Sequence, residues 1–200
     1  MRIRDAKKRA SRGRVVEAAR VLFEEVGFQE TTVRMIAERA GLSPGGVFTT
    51  FDDKVAILCQ ILAEQRESLI CEIEQLVPTL TGPVRDRIEA VVSLCHAREV
   101  PRLKMVVAYI GASYGWNQKL EEQCGQLHRR LRQVLGEMLQ DGVDRGEIRP
   151  EAGLELLVEL ITSAYERNFR TAHYAGLRAE DLDKRVRRQL NLLFDGARTR

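Results

Sequence analysis

Apolar residues recur at intervals of three and four positions along almost the whole chain, and this spacing predicts amphipathic helices. Proline and glycine separate the apolar stretches, as they do at helix ends. No stretch alternates apolar and polar residues as a half-buried strand would, and no internal repeat occurs. The sequence therefore predicts an all-α fold.

Residues 31–54 predict two short helices joined by a tight turn. Gly41 follows the first helix, at a position where the chain must turn sharply and a left-handed backbone favours glycine. Thr32 is the expected N-cap of that helix. Its apolar face is formed by Val33, Ile36, Ala37 and Ala40.

The second helix of this pair is predicted to be exposed on one side. Ser43 offers an N-cap oxygen, and Pro44 suits the first helical position, whose N–H has no helical partner. Val47 and Phe51 continue the buried face. The outward positions are Gly45, Gly46, Phe48, Thr49 and Thr50. A helix presented in this way is typical of the recognition helix of a helix-turn-helix in the major groove of DNA.

The rest of the chain also predicts helices. Asp53 can cap a long helix that starts at Lys54, and Pro78, Gly82 and Pro83 end it. These residues also open the next helix, which carries Ile88, Val91, Val92 and Cys95. Further helices are expected from Pro101 to Tyr109 and from about Lys119 to Met138. Two final helices carry the apolar stripes Leu154, Leu157, Val158, Ile161 and Tyr165, and Leu182, Val186, Leu190, Leu193 and Phe194. Their pattern alone favours two helices that pack against the rest of the same protomer and complete its core.

The segment from Gly41 to Lys54 resembles the DNA-binding signature of the TetR family of transcriptional regulators. The resemblance extends upstream through residues 15–28 and covers roughly residues 10–58. It implies a three-helix DNA-binding domain over residues 10–56, followed by a helical domain over 57–200 that binds an effector and dimerises. It also implies a homodimer that reads a palindromic operator on double-stranded DNA, in most cases as a repressor released by a small-molecule effector.

The resemblance assigns DNA contacts position by position. Arg34 is expected to reach a base or a phosphate, and the Thr32 hydroxyl and the Lys54 ammonium are expected at phosphates. The surface facing the groove would comprise Ser43, Pro44, Gly45, Gly46, Phe48, Thr49 and Thr50.

This chain departs from the family pattern within that surface. Phe48 stands where a tyrosine is usual, so a phosphate hydrogen bond from a hydroxyl is lost. Gly45 and Gly46 together disfavour the helix by about 1.5–2 kcal/mol relative to alanines. We interpret them as allowing the backbone to approach the groove closely. Direct reading then depends on Arg34, and on Thr49 and Thr50, whose methyl groups suit thymine.

For the helical domain the resemblance implies a small-molecule pocket and a four-helix dimer interface. The candidate pocket residues are Tyr109, Tyr114, Trp116, His128, Tyr165 and Phe169. The candidate interface residues are Leu157, Val158, Ile161, Tyr165, Val186, Leu190, Leu193 and Phe194.

The formal net charge of +3 lies entirely within residues 1–54, which hold 11 Lys and Arg against 8 Asp and Glu. The basic residues cluster in an N-terminal stretch that we expect to be a flexible arm on phosphates or in the minor groove, although a solubilising tail would have the same composition. They are Arg2, Arg4, Lys7, Lys8, Arg9, Arg12 and Arg14.

The chain contains no catalytic constellation, phosphate-binding loop or zinc spacing, so neither an enzyme nor a metal or cofactor site is expected. Cys124 and His128 share a helix face, but no third ligand is evident. The cysteines Cys59, Cys71, Cys95 and Cys124 are expected to be free thiols in a reducing compartment.

No apolar run approaches the roughly 18 residues of a membrane span, and the N-terminus lacks the apolar core of a secretion signal. We therefore expect a cytoplasmic protein with no membrane partner. Two alternatives remain open at this point. One is a helical small-molecule-binding protein or enzyme with a vestigial DNA-binding motif, and the other is an effector-independent DNA binder or an activator.

Overall fold

The computed structural model describes residues 2–116 and 118–197, and over these residues it confirms the all-α fold. Two short 3-10 turns, Val77–Thr79 and Val100–Arg102, flank the fifth helix. The α-helices of the described residues are α1 (Arg2–Glu25), α2 (Val33–Ala40), α3 (Pro44–Phe48), α4 (Lys54–Leu76), α5 (Val84–Glu99), α6 (Leu103–Ser113), α7 (Gln118–Cys124), α8 (Gln126–Asp144), α9 (Leu154–Ala175) and α10 (Ala179–Ala197).

The chain divides into two compact units. The first unit comprises residues 1–65 and 104–124, and the second comprises residues 66–103 and 125–200. The helix α4 is continuous across residue 65, so its residues are shared between the units. None of the helices in the described ranges is long and apolar enough to cross a membrane.

The first unit is built around a hydrophobic core to which α1, α2, α3, α4 and α6 contribute. Phe23 and Ile36 are fully buried there, and Val47 from α3 is almost fully buried. Burying a side chain of this size stabilises a fold by about 1.5–3 kcal/mol. The short helices α2 and α3 are therefore held by packing rather than by their own few hydrogen bonds.

Local capping sets the ends of the short helices as the sequence predicts. The Thr32 hydroxyl accepts a hydrogen bond from the Met35 N–H at 3.2 Å. The Ser43 hydroxyl accepts one from the Gly46 N–H, also at 3.2 Å. Gly41 ends α2 with φ of 65°, in the left-handed region that favours glycine.

The N-terminal basic stretch is helical, which corrects the expectation of a flexible arm. Helix α1 begins at Arg2 and continues unbroken to Glu25. The side chains of Arg2 and Arg4 lie outside the described residues, whereas Lys7 and Lys8 are exposed on α1. The stretch contains no proline, so the helix formed by the later residues continues upstream through it. Gly13 does not interrupt the helix.

The second unit is a layer of α5, α8, α9 and α10 with the C-terminal part of α4. Its buried apolar residues include Ile73, Ile88, Leu135, Leu139 and Leu182. Charged pairs also join these helices at their edges. Arg187 on α10, for example, donates to Glu89 on α5 at 2.7 Å.

Lys54, expected at a phosphate, is engaged within the first unit. Its ammonium donates to the carbonyl oxygens of Phe28, Gln29 and Thr31, the last two at 3.2 and 2.8 Å. It also lies 4.3 Å from the centre of the Phe28 ring. Burial lowers the pKa of Lys54, and the charge of Glu30 partly opposes that shift. The side chain thus joins the start of α4 to the loop that follows α1.

We predict that Lys54→Met lowers the free energy of unfolding of the first unit by about 1–3 kcal/mol, the usual contribution of hydrogen bonds to a charged donor. Methionine has nearly the helix propensity of lysine, so the lost bonds account for the effect. Chemical denaturation followed by circular dichroism measures it. Lys8→Met, at an exposed position of α1, is the matched control. Equal stability of the two variants would contradict a structural role for the Lys54 ammonium.

Candidate nucleic-acid interface

The helix α3 is anchored on one side and open on the other. Val47 and Phe51 are 1% and 4% exposed, whereas Phe48 is 55% exposed. Pro44, Gly45 and Thr49 are exposed as well, and Gly46 and Thr50 are half-buried. The outward set is therefore the one that the sequence predicts, presented on a helix of five residues.

The threonine hydroxyls beside α3 are used within the chain. The Thr49 hydroxyl donates to the carbonyl oxygen of Gly46 at 2.7 Å. The Thr50 hydroxyl donates to the carbonyl oxygen of Val47 at 2.8 Å. Each hydroxyl has one hydrogen, so in this conformation neither can donate to another group.

Arg12 fixes the end of α3 to its surroundings. Its guanidinium donates to the Thr50 carbonyl oxygen and to Oε1 of Gln60 on α4, both at 2.8 Å. The same group lies 4.1 Å from the centre of the Phe51 ring. Sequence reasoning placed Arg12 among the arm residues, and its partners are 38 and 48 positions away, so no local signal pointed to this role.

Arg34 is an exposed cation on α2, and the described residues provide it with no ion-pair partner. Arg39, on the same helix, lies 3.5 Å from Glu25. Thr32 and Ser43 are exposed at the N-caps of α2 and α3 and retain their hydroxyl hydrogens for another acceptor. Arg9 and Arg14 add exposed positive charge on α1. The first unit thus combines exposed cations with the open face of α3, the usual composition of a DNA-binding surface.

The candidate pocket residues fall into two groups. In the first unit, the rings of Tyr109 and Trp116 pack edge to face with centroids 4.9 Å apart. Tyr114, in the same unit, is 83% exposed. In the second unit, Tyr165 and Phe169 are buried and their ring centroids are 4.7 Å apart.

The aromatic pair of the second unit adjoins a buried polar network that sequence reasoning missed. Glu99 is 3% exposed and accepts hydrogen bonds from Nε of Arg66 at 3.1 Å and from the Tyr165 hydroxyl at 2.8 Å. Burial raises the pKa of Tyr165, and the charge of Glu99 raises it further. These residues are widely separated in sequence, and only the packing of α4, α5 and α9 brings them together.

Two histidines of the second unit have acidic partners. His96 is fully buried, stacks on Tyr165 and lies with Nδ1 3.0 Å from Asp183. Burial lowers its pKa, and the hydrogen bond with Asp183 opposes that shift. Nδ1 of His128 lies 3.4 Å from Glu166. Cys124, considered with His128 as a possible pair, has its side chain outside the described residues.

The candidate dimer residues contribute to the protomer's own core. They are at most 9% exposed, apart from Leu193, which is half-buried; the others are Leu157, Val158, Ile161, Tyr165, Val186, Leu190 and Phe194. Other apolar side chains of α9 and α10 are open instead. Leu156 and Leu160 are 57% and 42% exposed, and Leu192 is 77% exposed. Helix α9 therefore carries a buried apolar face and two exposed leucines, α10 carries a buried face and the exposed Leu192, and the periodicity of the sequence singled out only the buried faces.

The family model described as "Bacterial regulatory proteins, tetR family" matches residues 15–61 of this chain. The HTH-type transcriptional regulator UidR of Escherichia coli K12 is 24% identical over 151 residues, which is 76% of each chain. The HTH-type transcriptional repressor KstR2 of Mycobacterium tuberculosis H37Rv is 23% identical over 150 residues, or 75% of each chain.

Among solved structures, FadR from Bacillus subtilis, determined with stearoyl-CoA, superposes with a TM-score of 0.73 at 19% identity. It covers 92% of this chain and 97% of its own. That likeness shows that the two proteins share a fold. The matched residues 15–61 contain α2, α3 and the capping residues described above. From this match and this geometry together, residues 15–61 form a DNA-binding domain of the TetR type, and the chain is a DNA-binding transcriptional regulator.

Proposed function

We propose that this protein is a homodimeric repressor that binds a palindromic operator and leaves it when a small-molecule effector binds to the helical second unit. The observation that carries the proposal is the anchored and outwardly open helix α3, with Phe48 exposed and Val47 buried. The DNA contacts would come from α3, from Arg34 and from the hydroxyls of Thr32 and Ser43. The functional division would be a DNA-binding domain over residues 10–56 and an effector and dimerisation domain over 57–200.

A dimer follows from the small size of the reading surface. One helix of five residues contacts few bases, whereas two copies related by a two-fold axis roughly add their binding free energies. The exposed face of α9 and α10 supports this assembly, because Leu156 and Leu160 are one helical turn apart and open to solvent. Exposed leucines clustered on helices are a common mark of an interface.

The effector site is proposed in the second unit, around Tyr165 and Phe169. Ligand pockets combine apolar and aromatic walls with a few well-placed polar groups, and Arg66, Glu99 and His96 supply such groups beside those rings. The neighbour FadR was determined with stearoyl-CoA, and the relative KstR2 is named a repressor. Acyl-CoA esters are therefore the first effectors to test.

The helix α4 is the proposed route of coupling. Its first turns carry Lys54, which binds the loop that follows α1, and Gln60, which accepts a hydrogen bond from the Arg12 guanidinium at the end of α3. Its later part carries Arg66, a partner of Glu99. A change around Glu99 would therefore bear on the same helix that positions α3. Such coupling is typically worth about 1–3 kcal/mol and must be reciprocal.

The test of this function is a titration of a fluorescent duplex containing the promoter next to the protein's own gene, with and without stearoyl-CoA. We expect specific binding that stearoyl-CoA weakens about 5- to 150-fold, and an equal loss of acyl-CoA affinity when the duplex is present. Binding of stearoyl-CoA with unchanged operator affinity would contradict release by this ligand. No preference for the promoter over random duplex would contradict operator binding itself.

We predict that Arg34→Ala weakens operator binding by about 1–3 kcal/mol and alters the base preference at one position of each half-site. The reason is that Arg34 is an exposed guanidinium on α2, and none of the described residues forms an ion pair with it. Fluorescence anisotropy against the operator and single-base variants measures the effect. Arg39→Ala is the matched control, since Arg39 lies on the same helix as Arg34 and is paired with Glu25 of α1. An equal loss for both variants on all sequences would mean that Arg34 reads no base.

We predict that Leu156→Glu converts the dimer into a monomer and abolishes operator binding at concentrations that saturate the native protein. A charge on a desolvated apolar face opposes association, while the same charge on the free protomer remains in water. Sedimentation velocity gives the mass. Thr79→Glu, at an exposed site outside α9 and α10, should stay dimeric. A Leu156→Glu protein that is still dimeric would place the interface elsewhere.

A further inference from the structure

The face of α3 that is open to solvent is almost entirely apolar. Pro44 and Phe48 present hydrocarbon, and Gly45 presents no side chain at all. Thr49 presents a methyl group, because its hydroxyl hydrogen is committed to the Gly46 carbonyl oxygen at 2.7 Å. The backbone N–H of Thr49 is also used, in a 3.1 Å bond to the Gly45 carbonyl oxygen.

This composition lacks the groups that read purines by hydrogen bonding. Guanine is typically read by Arg or Lys, and adenine by Asn or Gln, each with two hydrogen bonds at the base edge. The stretch from Pro44 to Thr50 contains none of these four residue types. In the major groove, the one apolar group that a base pair offers is the C5-methyl of thymine.

We propose that α3 selects thymine through its C5-methyl group, which packs against the exposed Phe48 ring and the Thr49 methyl. This inference deepens the proposed function and rests on the binding of duplex DNA by α3. Phe48 is the main contact, because more than half of its surface is open while its neighbour Val47 is buried. The Thr49 bond to Gly46 orients the hydroxyl toward the helix and leaves the methyl group as the outward hydrophobic surface.

Removal of single methyl groups from the DNA tests this selection directly. High-affinity duplexes are first selected from a random pool with the full-length protein, and the best one is then synthesised with deoxyuridine in place of thymidine. Deoxyuridine keeps every hydrogen-bonding group of thymidine and lacks only the C5-methyl. We expect thymine in each selected half-site and a loss of about fourfold in affinity for each contacted methyl removed, as for burial of one CH₂ group.

Two conservative changes at Thr49, each removing one of its two terminal groups, assign the contact to this residue. Thr49→Ser removes the methyl and keeps the hydroxyl, so the thymine-to-uracil affinity ratio should fall toward one at the position it contacts. Thr49→Val keeps a methyl there and removes the hydroxyl, so that ratio should stay at the native value. Phe48→Ala should reduce the ratio at the position under the ring. The control is Thr79→Ser, at an exposed threonine whose hydroxyl donates in the same way to the Leu76 carbonyl oxygen.

The outcomes separate this inference from the proposed function. Equal affinity for the thymine and uracil duplexes, with specific binding retained, would overturn the reading of methyl groups and leave operator binding intact. A ratio lost in Thr49→Val and kept in Thr49→Ser would show that the hydroxyl makes the contact, which also overturns it. Failure to enrich any duplex from the pool would instead refute operator binding. Uracil placed outside the half-sites should change affinity by less than twofold.

Discussion

The proposed DNA-reading surface depends on the attachment of a helix that is too short to persist alone. Five residues close very few helical hydrogen bonds, and Gly45 and Gly46 lower the helix propensity by about 1.5–2 kcal/mol. Burial of Val47 and Phe51, each worth about 1.5–3 kcal/mol, offsets that cost. Arg12 then fixes the far end through the Thr50 carbonyl. Because these contacts on the buried side hold α3 in place, the residues on its outward face do not need to stabilise the helix and can be small and apolar.

The sequence distance between interacting residues determines how much of this unit could be predicted from the sequence. The turn at Gly41 and the caps at Thr32 and Ser43 involve residues within a few positions of one another, so their chemistry is visible in the sequence. Arg12 and Lys54 bind carbonyl oxygens more than twenty residues away. A basic residue in a sequence gives no sign of whether its partner is a distant backbone oxygen or a phosphate. In the structure, both Arg12 and Lys54 donate to backbone carbonyl oxygens.

The second unit illustrates a different limit of sequence reasoning. Apolar periodicity located α9 and α10 and the face of each that packs inward, but it gave no sign of the exposed leucines on their other side. The face with Leu157 and Ile161 packs within the protomer, and the face with Leu156 and Leu160 is open. The sequence could not reveal the network of Arg66, Glu99 and Tyr165, because its members lie far apart along the chain, as Arg12 does from its partners. Such a buried charged network costs desolvation energy, so it depends on each member keeping its partner.

The central claim is that two copies of α3, related by symmetry, lie in successive major grooves on one side of a DNA duplex. Hydroxyl-radical footprinting of the protein on a selected duplex tests this most directly. The account predicts two protected patches in dyad-related positions, centred about one helical turn or a whole multiple of it apart. A single patch without a symmetric counterpart, or uniform protection along the duplex, would contradict it.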